Sequence, residues 1–182
     1  VEEMESRCNS TKSGDHAKKV TVEYLYLDMQ SCDRCIGTDR ILDEVMQTLT
    51  PALVMAGFAV DYKKMEIETA EIATQFHFVS SPTIRVNGQD ICHSVAENNC
   101  GCCSQISDTD VDCRVFKYHG ERFEVPPREM LAEAILQTVF DQFNGKNVCT
   151  CSGGRYELPA NLKRFFDGKK NKLGCSCSGN CC

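Results

Sequence analysis

Fourteen of the 182 residues are cysteine, and their spacing sets the chemistry open to the chain. Ser31-Cys32-Asp33-Arg34-Cys35 is a Cys-x-x-Cys pair. Two thiols three residues apart can exchange disulfides by thiolate attack, supply half of a metal site, or sit as buried core residues. A second cluster centres on Asn98-Asn99-Cys100-Gly101-Cys102-Cys103, with Cys92 before it and Cys113 after it. Gly101 lets the backbone turn so that neighbouring sulfurs converge. The Cys-x-Cys-Cys spacing is not that of a common zinc finger or a simple iron–sulfur ferredoxin. It suits soft acceptors such as Cu(I), Hg or As(III) on Cys100, Cys102, Cys103 and Cys113; a structural Zn site or disulfides tying down a loop are the alternatives. A third set, Cys149, Cys151, Cys175, Cys177, Cys181 and Cys182, is separated by Ser, Gly and Thr. Such a segment can wrap a soft ion, or swing onto Cys32 and Cys35 as a relay of thiols. Adjacent cysteines strain to pair with each other, which favours ion capture.

Positioning these sulfurs requires ordered elements around them. Residues 19–27 read as a buried strand, and Ile41, Leu42, Val45, Met46, Leu49 and Leu53 recur at helical spacing. The Cys-x-x-Cys pair therefore stands at a helix start, where free N–H groups and the helix dipole favour a thiolate on the first cysteine. The helix is expected from about residue 33 to residue 56, with a kink or break at Thr50-Pro51 because proline removes a helical N–H. A strand over residues 58–62, extending less regularly to Ile67, and a short helix capped by Thr69 follow. Ser81-Pro82-Thr83 then opens a strand that turns through Asn87-Gly88, a two-residue hairpin signal. A cis proline there would set the preceding backbone beside a reactive sulfur and leave polar groups free to bind an extended peptide. Residues 114–118 and 121–125 form a second hairpin about His119-Gly120. Either this pair or residues 89–91 completes the main sheet. Pro126-Pro127 starts a helix with an apolar stripe of Met130, Leu131, Ala134, Ile135, Thr138, Val139 and Phe143.

From residue 19 to residue 143 this succession resembles the thioredoxin fold. More closely, it is similar to an uncharacterised thioredoxin-like family known mainly as a domain of unknown function. The resemblance implies an α/β, thioredoxin-like three-layer fold, a central mixed sheet flanked by helices, here carrying a Cys-rich insertion and a Cys-rich tail. It implies a nucleophilic role for Cys32, a resolving role for Cys35 and a cis-proline role for Pro82. The chain departs from thioredoxin itself in three respects. It has no tryptophan; Tyr26 stands where thioredoxin keeps a buried carboxylate; and Asp33-Arg34 replaces Gly-Pro between the cysteines. Asp33 disfavours a Cys32 thiolate and Arg34 favours it, so the ordinary reductase cycle does not carry over intact.

The bulk composition, 42% hydrophobic and 25% charged, is that of a soluble globular chain with a real core. No apolar run approaches a membrane span, and the first residues lack a basic-then-apolar signal, so no membrane is expected and the expected location is cytoplasmic. A reducing compartment also suits cysteines that serve as ligands and redox groups. Three segments are expected: a flexible leader over residues 1–18, containing the isolated Cys8; the thioredoxin-like domain over 19–145, with the insertion at 92–113; and a basic Cys-rich tail over 146–182. Seven lysines and arginines against two acidic residues between Asn144 and Cys182 leave the rest of the chain at −11 within an overall −6. That asymmetry suggests that the tail docks on its own acidic body or on a partner, with Leu162, Phe165 and Phe166 as the docking face, and not on nucleic acid; a merely solvated basic tail is the alternative. Two functions are expected from these features. One is a thiol–disulfide exchange protein acting on protein or small-molecule thiols and disulfides. The other is a soft-metal or metalloid binding or detoxification protein using the thiolate clusters.

Overall fold

The computed structural model describes residues 18–92, 95–144 and 155–174. The chain is α/β. Strand β1 (Lys18–Tyr26) lies inside a mixed four-stranded sheet of order β2-β1-β3-β4. It runs parallel to β2 (Phe58–Glu66) and antiparallel to β3 (Thr83–Val86), which turns into β4 (Gln89–Asp90). Asn87 and Gly88 both take positive φ, 50° and 80°, the pair of left-handed residues that a tight hairpin of this twist needs. Of the two segments the sequence offers for completing this sheet, β4 does so.

The other candidate belongs elsewhere. Strands β5 (Ala96–Asn99), β6 (Asp112–Tyr118) and β7 (Glu121–Phe123) make a small antiparallel sheet of their own, with helix α3 (Gly101–Ser107) between β5 and β6. The Cys-rich insertion is thus a folded strand–helix–strand unit.

Helix α1 (Asp33–Met55) begins directly at the Cys-x-x-Cys pair and runs through Pro51 without the expected break. Pro51 and Gln47, one turn earlier, are both exposed, so the helical bond lost to the proline lies on the solvent side of α1 and not in the core. Helix α2 (Ala70–Gln75) is capped as expected, Thr69 Oγ1 accepting from the Ile72 N–H at 3.2 Å. Helix α4 (Arg128–Phe143) buries Met130, Leu131, Ile135, Thr138 and Val139 of its stripe. No helix among the described residues is long and apolar enough to cross a membrane.

Two apolar clusters result. Val20, Val22 and Tyr24 of β1 pack with Leu42, Val45 and Met46 of α1 and with the α4 stripe. Leu25 and Leu27 pack instead in a second cluster with Ile67, Phe78, Val111 and five buried cysteines. Helix α5 (Ala160–Gly174) closes this second cluster with Leu162, Phe165 and Phe166, all essentially inaccessible to solvent. The residues that the sequence marks as apolar in an otherwise basic tail therefore share a core with Cys32 and Cys35.

Candidate metal centre

The loop before α1 is wound by one carboxylate. Asp28 Oδ2 accepts from the N–H groups of Gln30 (3.1 Å), Ser31 (2.6 Å) and Cys32 (3.0 Å), and from Ser31 Oγ (3.0 Å). Cys32 occupies the N-cap of α1, its carbonyl accepting the first helical bond from the Ile36 N–H at 2.9 Å. Its side chain makes no cap bond and is free for other work.

Cys100 repeats this arrangement. It is the N-cap of α3, its side chain again uninvolved in capping, and its carbonyl accepts from the Ser104 N–H at 2.9 Å. Cys103 lies on the first turn of the same helix. Cys113 comes from β6, paired with Asn98 of β5, so the antiparallel register sets it beside the approach to Cys100.

The four sulfurs of Cys32, Cys100, Cys103 and Cys113 lie within 4.8 Å of one another, and all four residues are buried. The separations are 4.0 Å for Cys32–Cys100, 3.7 Å for Cys32–Cys103 and 3.4 Å for Cys103–Cys113. Four thiolates around a metal at a bond length of ~2.3 Å stand about 3.8 Å apart on the edges of a tetrahedron. The observed distances bracket that value. The buried four-cysteine cluster therefore has the donor set and the spacing that could hold a metal ion.

Arg34 locks the frame. Its guanidinium, buried on the first turn of α1, donates to the carbonyls of Asn99 (2.8 Å) and Cys113 (3.2 Å), to the side-chain oxygen of Asn98, and to Glu124 Oε1 (2.6 Å). One side chain on the Cys32 helix thus holds both the strand leading to Cys100 and the strand carrying Cys113. On the far side, Asn161 of α5 pairs with the backbone of Asp112, accepting from its N–H at 2.9 Å and donating to its carbonyl at 2.6 Å.

Crowding polarises the thiols. Hydrogen bonds, first from Cys100 and then from Cys103, Cys113 and Cys35, hold the Cys32 thiol far below its usual range despite burial. Cys100 is brought down to about 7, chiefly by the Cys103 thiol. Cys103 and Cys113 are pushed up, mainly as donors to Cys100, with burial adding to the effect.

Several expected site residues lie elsewhere. Cys102 stays outside the tetrad: it is half-buried, and its Sγ lies 3.8 Å from Asp33 Oδ2. Successive residues on a helix point about 100° apart, so α3 cannot turn Cys102 and Cys103 to one centre. Cys35 is buried beside the tetrad and outside it, with Sγ 3.5 Å from Ser81 Oγ and its carbonyl accepting from Tyr24 Oη at 2.7 Å. Its thiol is pushed up, chiefly as donor to the Cys32 sulfur and then by burial. Cys92 packs in the other core, where burial pushes it up to about 11. Cys149, Cys151, Cys175, Cys177, Cys181 and Cys182 lie outside the described residues.

The Ser81–Pro82 peptide is cis. The polar groups around it are nevertheless taken, against the expectation of a free edge for a peptide. The Ser81 carbonyl accepts from the Arg114 N–H at 2.7 Å, Ser81 Oγ accepts from the Leu27 N–H at 3.1 Å, and Ser80 Oγ donates to Glu97 at 2.6 Å. The insertion itself occupies that edge. Cys32 and Cys35 are each 0% exposed.

Reading Cys100 to Cys103 as Cys-x-Cys-Cys hides the spacing that matters. Cys100-x-x-Cys103 repeats Cys32-x-x-Cys35, each preceded by a polar residue, and that repetition is the signal that marks both as helix starts.

The chain belongs to the family described as a domain of unknown function (DUF2703), whose model matches residues 20–135, a span that contains all four clustered cysteines. No curated protein and no solved structure matches it.

Proposed function

We propose that this DUF2703 protein binds a thiophilic metal ion at Cys32, Cys100, Cys103 and Cys113, as a holding site for that ion. The observation that carries the reading is the convergence of four buried sulfurs at separations suited to a tetrahedron. Four near-equivalent thiolates favour a four-coordinate ion of the Zn(II) class over Cu(I), Hg(II) or As(III), which are satisfied by two or three sulfurs. The cationic Arg34 and the start of α1 offset the negative charge that four thiolates leave on a divalent ion. Cys149, Cys151, Cys175, Cys177, Cys181 and Cys182 are proposed as a separate ligand set that supplies ions to the buried one. Free thiols on this scale call for a reducing compartment, and the cytoplasm is proposed.

Native mass spectrometry tests this on the full chain with Cys8 and the six tail cysteines replaced by serine. One Zn(II) per chain is expected, with Co(II) giving the visible bands of a tetrahedral thiolate site. Cys103→Ser should weaken binding by about a hundredfold or more, while Cys102→Ser leaves it unchanged. A reduced chain that takes up no ion, or a Cys103→Ser chain that binds as its parent does, would overturn the assignment.

A second reading, thioredoxin-like exchange with Cys32 as nucleophile and Cys35 as resolving thiol, is supported by the Cys-x-x-Cys pair at the start of α1, the cis Ser81–Pro82 peptide and the sheet order β2-β1-β3-β4. The burial of both sulfurs and the occupied edge at Ser81 weigh against a folded partner reaching them.

A further inference from the structure

Cys32 is claimed by two arrangements at once. Its sulfur is a corner of the tetrad, 4.0 Å from Cys100 and 3.7 Å from Cys103. Cys35, in the first turn of the helix that Cys32 caps, is buried in the same cluster of side chains. Cys35 does not belong to the tetrad; its other neighbour is Ser81 Oγ. A fifth buried thiol therefore lies three residues along the helix from one ligand.

The position is chemically specific. Two sulfurs bound to one ion are held apart on a tetrahedral edge, so Cys100 and Cys103 cannot join until the ion leaves. Cys35 is under no such constraint. A Cys-x-x-Cys pair at a helix start lies within disulfide range, and a sulfur in a disulfide no longer carries the charge that binds metal. With Cys32 withdrawn, three ligands remain.

Resting on the metal-centre reading above, we infer that hydrogen peroxide converts Cys32 and Cys35 to a disulfide and thereby releases the ion. In the first step the Cys32 thiolate attacks one peroxide oxygen. The O–O bond breaks, Cys32 becomes a sulfenic acid and hydroxide departs. In the second, Cys35 sulfur attacks the Cys32 sulfur, the S–OH bond breaks, and the hydroxyl leaves as water with the Cys35 proton. Two electrons pass from the two sulfurs to the peroxide, which ends as water and hydroxide. The burial of both sulfurs and the filled edge at Ser81 select a small oxidant over a protein disulfide.

The test uses the full chain with Cys8 and the tail cysteines replaced by serine, loaded with one Zn(II) and treated with hydrogen peroxide. A chromogenic chelator follows release, and peptide mass spectrometry maps the bonds formed. One Zn(II) released per Cys32–Cys35 disulfide, reversed by dithiothreitol, is the expected result. Cys35→Ser, and Cys35→Ala as a second variant against misfolding, should keep the stoichiometry of one and slow release at least about tenfold. Release from both variants at the parental rate, or a disulfide joining Cys100 to Cys103 in the parent, overturns the gating while leaving the metal centre standing. A reduced parent that binds no Zn(II) overturns both.

Discussion

The Arg34 guanidinium donates to backbone carbonyls on two strands, so its removal leaves buried acceptors without donors and also removes a buried cation from the strands that lead to Cys100 and carry Cys113. Arg34→Met should destabilise the protein by about 2–3 kcal/mol in guanidinium denaturation and weaken Zn(II) binding about tenfold. Arg34→Lys should recover little, since a single ammonium cannot reproduce the fork that spans Asn99, Cys113 and Glu124. A variant as stable as wild type would show that the contacts at Asn99 and Cys113 are dispensable. None of this was legible in the sequence, where Arg34 reads only as a charge between two cysteines. The cysteines themselves were more readable. Clustering alone picks out Cys100, Cys103 and Cys113, but Cys102 comes with them, because spacing does not reveal that a helix separates neighbours. Cys32 reads in the sequence only as half of a Cys-x-x-Cys pair, since its partners in the tetrad are 68, 71 and 81 residues distant along the chain, and such contacts leave no local pattern.

At the scale of elements, helix α5 meets α3 so closely that only hydrogen fits at Gly168. A Cβ there would lie 2.1 Å from the Ser107 carbonyl oxygen. Gly168→Ala must push the helices apart, and about 1–3 kcal/mol of destabilisation is expected. The more diagnostic effect is on chemistry: Cys103 and Cys32 should become alkylatable by iodoacetamide in the ion-free folded protein, where wild type resists. Equal protection in the variant would mean that α5 is not what shields them. The main elements β1, α1, β3 and α4 followed from periodicity, capping and the Asn-Gly turn. The insertion did not, because β5 is short and polar and α3 spans only seven residues, too brief for an apolar period to show. That α1 continues through Pro51, where the sequence allows a kink or a break, is illegible for a different reason: the cost of the lost bond depends on which side of the helix faces solvent.

For the whole molecule, the decisive fact is that a unit inserted between β4 and α4 and a helix after α4 both fold back over the start of α1. The salt bridges Lys169–Glu66 and Lys170–Glu71, each 3.7 Å, and the bond from Lys172 Nζ to the Gln105 carbonyl at 2.6 Å run between the basic helix and the body beneath it. Surface pairs of this kind contribute little individually; the larger contribution comes from burying Leu162, Phe165 and Phe166. This cover has a kinetic meaning. An ion held by these buried sulfurs is covered by α5 and α3, so exchange should wait for them to lift, and the opening step then sets the clock. Removal of Zn(II) by a strong chelator should accelerate with chelator concentration only up to a plateau, and that plateau should rise on Gly168→Ala while the equilibrium affinity changes far less. A rate that stays proportional to chelator throughout would mean the chelator reaches the ion directly. The closed state thus makes residence time, and not affinity alone, the property through which this fold would govern its ion.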